Sequence, residues 1–191
     1  PGAPQRAILI SVPFFHATGC FAVMIPAFMG GAKQVMQRRW NVEQALELIQ
    51  RERITSAGGV PTIAWQLIEH PRLAEYDLSS LEIISYGGAP SAPELVRRMK
   101  AIFPKLQPGQ GWGMTETSAT AVSNFAEDYE VRPSSCGVSA PTGEAKIVGP
   151  SGETLPAGEV GELWYRGPIV VRGYWMKPEP TAETFVDGWV K

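Results

Sequence analysis

Leu81-Glu82-Ile83-Ile84-Ser85-Tyr86-Gly87-Gly88-Ala89-Pro90-Ser91-Ala92-Pro93-Glu94-Leu95 decides the fold of this chain. A short apolar run stops at paired glycines, and a polar, proline-bearing stretch then opens a helix. Ser91 and Glu94 have the spacing of a capping box, and Leu95, Met99, Ile102 and Phe103 follow on one helical face. A strand that ends in a glycine turn and passes into an amphipathic helix is one βα unit.

The same grammar repeats on both sides. Ala7 to Val12 reads as a buried strand, Gly19 to Met29 as an apolar helix ending at Gly30-Gly31, and Lys33 to Gln37 as a second strand. Asn41 with Gln44 caps a helix whose face carries Val42, Ala45, Leu46 and Ile49. Thr55 to Val60 is a third strand, Pro61-Thr62 opens the next helix, and Leu106 to Gly111 is a fifth strand. Alternation of this kind predicts an α/β fold: a five-stranded, mainly parallel, flavodoxin-like sheet with helices on both faces. After about residue 130 helical periodicity fades, apart from a turn near Pro180. Ala145 to Val148 and Glu162 to Tyr165 read as antiparallel strands joined through a turn at Gly149-Pro150-Ser151-Gly152. The expected division is residues 1–130 as an α/β subdomain and residues 131–191 as a small antiparallel β subdomain. Asp187-Gly188 is a hairpin signal. Its returning strand has barely begun at Lys191, and Pro1-Gly2-Ala3-Pro4 is linker-like, so the chain reads as a piece of a longer protein.

Charge and cysteine content exclude several classes. A net charge of -2 gives no basic face for nucleic acid, and Arg38-Arg39 and Arg97-Arg98 read as solvated edges. Two cysteines make neither a disulfide framework nor a zinc site. Cys20 reads as a buried small hydrophobe, and a reducing, cytoplasmic setting is expected. The apolar stretch from Cys20 to Met29 is about half of the ~20 residues a membrane span needs. No charged-then-apolar leader stands in the sequence.

Gln110-Gly111-Trp112-Gly113-Met114-Thr115-Glu116-Thr117-Ser118-Ala119 holds the groups best suited to chemistry. Ligands of parallel sheets bind at the carboxyl ends of strands. Two glycine-containing turns, Gly87 to Pro90 and Gly111 to Gly113, are expected there. Glycine lets a flat ligand approach the backbone, and Trp112 offers a face for a base. Thr115, near a helix start, can donate a hydrogen bond to a phosphate oxygen. Glu116 can hold a magnesium ion, which takes one or two carboxylates plus phosphate oxygens. Taken singly, these features have plain structural uses: a tight turn, and a helix cap with Glu116 favoured by the helix dipole.

Together they resemble a known family. Gly111-Trp112-Gly113-Met114-Thr115-Glu116 resembles the signature of the adenylate-forming enzymes, which include acyl-CoA synthetases, luciferases and peptide-synthetase adenylation domains. Gly87-Gly88-Ala89-Pro90 resembles their adenine-binding turn. Gly158 to Leu163, with Arg172-Gly173-Tyr174 and Pro178 to Phe185, resembles their later glycine-rich motif, so the likeness runs in order along essentially the whole chain. It implies that Gly88, Ala89, Pro90 and Trp112 surround the adenine of ATP or AMP, with Gly111 and Gly113 also binding the nucleotide. Trp112 stands where the family more often has tyrosine. Thr115 would contact the phosphate, and Glu116 would bind magnesium.

Val12 to Gly19 resembles the acyl-CoA synthetase version of the segment after an early strand. That places His16 at the mouth of the carboxylate pocket as a gate and positioning residue, with Gly113 and Met114 lining the acyl tunnel. Read alone, His16 is a residue that satisfies a helix terminus. The resemblance also places a phosphate loop upstream of Pro1, a ribose-binding aspartate past Lys191 and a mobile domain with a catalytic lysine beyond it.

The resulting expectation is the central fragment of a fatty-acyl or related CoA ligase, inactive by itself. The parent would join a carboxylic acid, ATP and coenzyme A in fatty acid metabolism. Alternatives are an adenylation domain that loads a carrier protein, and a non-catalytic nucleotide-binding module. An aromatic setting around His16 argues against the former, which usually places an aspartate nearby to hold an amino group.

Overall fold

β1 (Ala7–Ile10) is followed by a π-helix (Thr18–Met24) that runs into α1 (Ile25–Met29) and returns as β2 (Lys33–Met36), in the computed structural model, which describes residues 5–191. Pro1 to Pro4, read as a linker, lie outside the described residues. The wide turns have a local cause. Gly19 packs so closely on the preceding loop that a Cβ there would lie 2.1 Å from the Pro13 carbonyl oxygen. Pro26 has no N–H to continue an α-helical ladder, and the last bond before it runs from Ile25 N to Cys20 O. Cys20 is half-buried on this helix, not fully inside as its apolar neighbours suggested.

α2 (Val42–Glu52), β3 (Ser56–Gly59), α3 (Pro61–Ile68), β4 (Ile83–Gly87), α4 (Pro93–Ile102) and β5 (Gln107–Met114) complete the expected alternation. The five strands run parallel in the order β2-β1-β3-β4-β5, which reverses direction of growth between β1 and β3. One sheet face builds the main core. Leu9, Ala57, Ile84 and Tyr86 pack there against Leu46 and Ile49 of α2, Ile63 and Leu67 of α3, and Leu95 and Met99 of α4. The opposite face lies under the π-helix.

Capping follows the sequence in part. Asn41 Oδ1 accepts from Gln44 N at 2.8 Å, while the Gln44 side chain turns instead to Gln37. The Ser91 box does not form. α4 is capped at Ala92 without a side-chain bond, and Glu94 is drawn to Arg97 and Arg98. Those two guanidiniums hold the Glu94 carboxyl down at about 2.

The sheet is longer than the five strands read from sequence. β5 continues three residues past Gly111, through Trp112 and Gly113, to Met114. A single 3₁₀ turn at Thr115–Thr117 stands where a helix start was expected, and β6 (Ala119–Phe125) returns antiparallel along β5. α5 (Ala126–Val131) and β7 (Val138–Ser139) follow, making seven strands. Gly111-Trp112-Gly113 is therefore extended strand rather than a turn. Glycine there answers to crowding: a Cβ on Gly113 would sit 1.5 Å from the Ala119 carbonyl oxygen.

The second sheet contains β8 (Glu144–Val148) and β9 (Glu162–Arg166), then, after α6 (Pro178–Thr184), β10 (Phe185–Val186) and β11 (Trp189–Val190). Its order is β10-β11-β9-β8, antiparallel throughout. Asp187 and Gly188, at φ 51° and 79°, make the hairpin their dipeptide signals. A second core joins the two sheets: Ala121 and Val122 from β6 pack with Tyr165 and Val190. No helix among the described residues is long and apolar enough to cross a membrane.

A buried tyrosine pair ties α5 to the sheet. Tyr129 Oη donates to Gln110 Oε1 at 2.7 Å, so the Tyr86 hydroxyl is the donor in its 3.0 Å bond to Tyr129. Burial pushes the Tyr86 phenol well above the ordinary tyrosine range. The folded state thus holds this proton more tightly than the unfolded chain, whose value is about 10. Stability from the neutral phenol is complete below pH ~10 and is lost as pH rises above it. The melting temperature should be level to about pH 9.5 and then fall. In Tyr86→Phe that alkaline fall should be shallower, which a melting series across pH 8 to 11.5 would check.

Candidate functional site

Strand alternation sends Leu9, Ala57, Ile84 and Tyr86 to the main core, and Ile8 with a run of small residues to the opposite face. Under the π-helix the sheet surface is Ser56, Gly58, Ser85, Gly109 and Gly111, and a cavity of about 960 Å³ opens there. Its other walls are Val23, Pro26 and Ala27 of the helical crossover, and Thr120, Ser123 and Phe125 of β6. The cavity reaches the carboxyl ends of β3, β4 and β5, where loops leave the sheet. A shallower polar depression around Arg38, Arg39 and Glu43 contains none of the glycine motifs.

His16, Gly88, Gly111, Gly113, Met114, Thr115 and Glu116 all line the cavity. They come from three separate stretches, which only folding brings together. Ala89 and Pro90 are exposed and do not line it; Gly88 does, in a left-handed conformation at φ 75° that suits glycine. Trp112 does not line it either. On a strand, successive side chains alternate, so Trp112 points opposite to its glycine neighbours and packs, half-buried, on the second core. Met114 serves both, lining the cavity and touching that core.

His16 combines its two readings. Its Nδ1 accepts from the backbone N of Thr18 at 3.2 Å, and its carbonyl accepts from Cys20 N, so it does satisfy a helix terminus. The neutral ring then carries its proton on Nε2, which is left as a donor in a residue that lines the cavity. This arrangement suits positioning an oxygen and does not suit a general base.

The tip between β5 and β6 is held by a residue the sequence reading passed over. Thr117 is fully buried, and its Oγ1 accepts from Met114 N at 3.0 Å. Its single proton is shared between the carbonyls of Met114 and Ala119, at 3.1 and 3.0 Å. Ser118 (φ 50°) and Ala119 (φ 90°) adopt left-handed conformations to complete the reversal. Thr115 is thereby exposed at the tip and Glu116 is partly buried beside it.

Glu116 is also gripped from the second sheet's side. Its backbone oxygen accepts from Val171 N at 2.9 Å, and its Oε1 accepts from the Tyr174 hydroxyl at 2.5 Å. Oε2 has no protein hydrogen bond among the described residues. The hydrogen bond to this carboxylate holds the Tyr174 phenol above its ordinary range. No cluster of three His, Cys, Asp or Glu side chains exists among the described residues. A divalent cation here would be shared between Glu116 and a ligand's own oxygens. That fits magnesium, which takes few carboxylates and keeps phosphate or water oxygens.

Sequence gave little warning of Ser56, Gly58, Ser85 and Gly109, because small residues in a strand signal only weak packing. The alternation of Ala119, Ala121 and Asn124 with Thr120, Ser123 and Phe125 was the available sign of β6.

Comparison with known proteins gives a consistent match. A profile of the family described as AMP-binding enzyme matches residues 2–175. The chain is 37% identical over 98% of its length to 4-coumarate–CoA ligase-like 9 of Arabidopsis thaliana, and covers 34% of that protein. It is 35% identical over 98% of its length to a feruloyl-CoA synthase of an Amycolatopsis species, covering 38% of it. The structure of o-succinylbenzoate coenzyme A synthetase from Bacillus subtilis, in complex with ATP and magnesium ion, superposes with a TM-score of 0.85. Identity to it is 27%, over 99% of this chain and 38% of that one. The chain thus spans little more than a third of the length of these proteins.

Replacing Thr117 by valine keeps the shape of the side chain and leaves Met114 N without a partner. An unpaired buried amide costs about 1–3 kcal/mol. Thr117→Val should therefore lower the urea midpoint by a corresponding amount, whereas Thr115→Val at the exposed tip should leave it within error.

Proposed function

Because this chain belongs to the AMP-binding enzyme family, we propose that its parent is an AMP-forming acid–thiol ligase. The carboxylate of the acid attacks the α-phosphorus of ATP and pyrophosphate leaves. The thiol of coenzyme A then attacks the acyl carbon, and AMP departs. The observation that carries this reading is the convergence of the Thr115–Glu116 tip, Gly88 and His16 on one cavity.

In this reading the acyl chain lies along the small-residue strip under the π-helix, with Gly113 and Met114 beside it. His16 Nε2 donates to a carboxylate oxygen and fixes the angle of attack. Adenine lies against Gly88, Ala89 and Pro90, and the exposed part of the Trp112 indole closes its edge. The Thr115 hydroxyl donates to a phosphate oxygen. Glu116 Oε2 would hold magnesium, which supplies neutralisation of phosphate charge as the leaving group forms. Residues 1–130 carry these acyl and adenine walls, and residues 131–191 support them from behind.

The acid is the point on which the relatives redirect the sequence reading. The two relatives compared by sequence are named for coumarate and ferulate, both aromatic acids, so an arylpropenoic acid is proposed in place of a fatty acid. A cavity near 960 Å³ has room for such an acid with part of a nucleotide, against about 300–1,000 Å³ for common ligand pockets.

The test uses the full-length parent. Acid-dependent ATP–pyrophosphate exchange is expected with 4-coumarate or ferulate, and thioester formation on adding coenzyme A. Glu116→Gln should lower exchange about 100-fold. Exchange with long-chain fatty acids alone would restore the fatty-acyl reading. AMP binding without exchange for any acid would overturn the ligase reading in favour of a nucleotide-binding module.

A further inference from the structure

Tyr174 is the feature that the proposed chemistry does not use. It comes from the loop between β9 and α6, far along the chain, yet its hydroxyl reaches the Glu116 carboxylate. The loop is built to deliver it. Tyr174 N donates to Thr181 Oγ1 at 2.9 Å, and the Tyr174 ring stands edge-on to Phe185 with centroids 5.6 Å apart. Gly173, at φ 145°, lies where a Cβ would come within 2.4 Å of the Thr181 side chain. Two further bonds fasten the same loop to the tip: Val171 N to Glu116 O, and Ser118 Oγ to Ile169 O at 2.8 Å.

We propose that Tyr174 is a positioning residue that clamps Glu116 Oε1 so that Oε2 is held toward the cavity for a nucleotide-bound divalent cation. The proposal rests on the reading of Glu116 as the cation carboxylate. A carboxylate on a flexible stem loses rotamer freedom when it takes a cation. A phenol already bonded to one oxygen removes much of that loss beforehand, as partners behind metal ligands do elsewhere. The neighbouring bonds from Val171 and Ser118 hold only the backbone and the turn. Among the described residues the phenol alone addresses the carboxylate.

Full-length Tyr174→Phe, Glu116→Gln and Ser118→Ala variants separate these roles. Binding of Mn²⁺ in the presence of a non-hydrolysable ATP analogue, read by electron paramagnetic resonance, gives an affinity independent of turnover. Magnesium dependence of pyrophosphate exchange at saturating ATP and acid gives a second reading. Tyr174→Phe should weaken Mn²⁺ binding and raise the half-saturating magnesium about 10-fold. Its KM for the acid should be unchanged, and excess magnesium should restore most of the rate. Adding Tyr174→Phe to Glu116→Gln should cost nothing more, because both act through one contact. Ser118→Ala, which removes one bond between loop and tip without touching the phenol, should lower the melting temperature and leave the metal curves in place.

If Glu116→Gln weakens the cation and Tyr174→Phe does not, the positioning role is overturned and the ligase reading stands. If Glu116→Gln leaves the cation unaffected, the assignment of Glu116 fails and this proposal with it. If Ser118→Ala shifts the metal curves as far as Tyr174→Phe, the loop is only a general brace and the specific role is overturned. Should Tyr174→Phe melt below the assay temperature, Phe185→Leu, which keeps the phenol and removes its ring partner, decides the matter. Wild-type metal affinity in a destabilised Phe185→Leu protein supports the phenol. Weakened affinity there overturns it.

Discussion

One hydroxyl sets the geometry on which the site depends. Thr117 Oγ1 accepts from Met114 N and serves the carbonyls on either side of the reversal, and it is sealed from water. Without it the strand arriving as β5 and the strand leaving as β6 would meet with an unpaired, partly buried amide. With it the reversal is tight enough that Gly113 must lack a side chain. Thr115 and Glu116 are carried at the tip as a consequence. Their backbone position comes from this reversal and its buried hydroxyl, and Glu116 is held further by Val171 N and the Tyr174 hydroxyl.

The two sheet faces follow opposite rules. Toward α2, α3 and α4 the strands present Leu9, Ala57, Ile84 and Tyr86, and burial of apolar area stabilises the fold. Toward the π-helix they present Ser56, Gly58, Ser85 and Gly109, so helix and sheet meet with a gap between them. Stability is lodged on one face and space for a ligand on the other. The second sheet adds a third element. Its core receives Trp112 and Met114, and its loop reaches Glu116, so the tip is braced by a residue 58 positions later in the chain.

The parallel strands were readable because runs such as Ala7 to Val12 and Leu81 to Tyr86 alternate with helices of clear periodicity. Asn41, Pro61 and Pro93 mark helix starts by chemistry local to a few residues, and the structure keeps them. Asp187-Gly188 likewise needs only its own φ angles. Ser91 is the instructive failure. The capping-box spacing is present, but Arg97 and Arg98 draw Glu94 outward, and the box does not close. β6 was missed for a related reason. The Thr115–Thr117 segment is compatible with a helix start, and only pairing against β5 makes Ala119–Phe125 a strand.

By itself, the sequence determined the α/β alternation and the antiparallel tail, and it singled out candidate groups for phosphate, metal and carboxylate. These depend on residue type and short spacing, and Gly88, His16, Thr115 and Glu116 each lie within a local motif. Tertiary structure alone decided which of them share a cavity, that Trp112 turns to the second core, and that Tyr174 is the partner of Glu116. The reason is distance along the chain. A bond between residues 58 positions apart leaves no periodicity to read, and the face to which a strand residue points is fixed only once its neighbours on the sheet are in register.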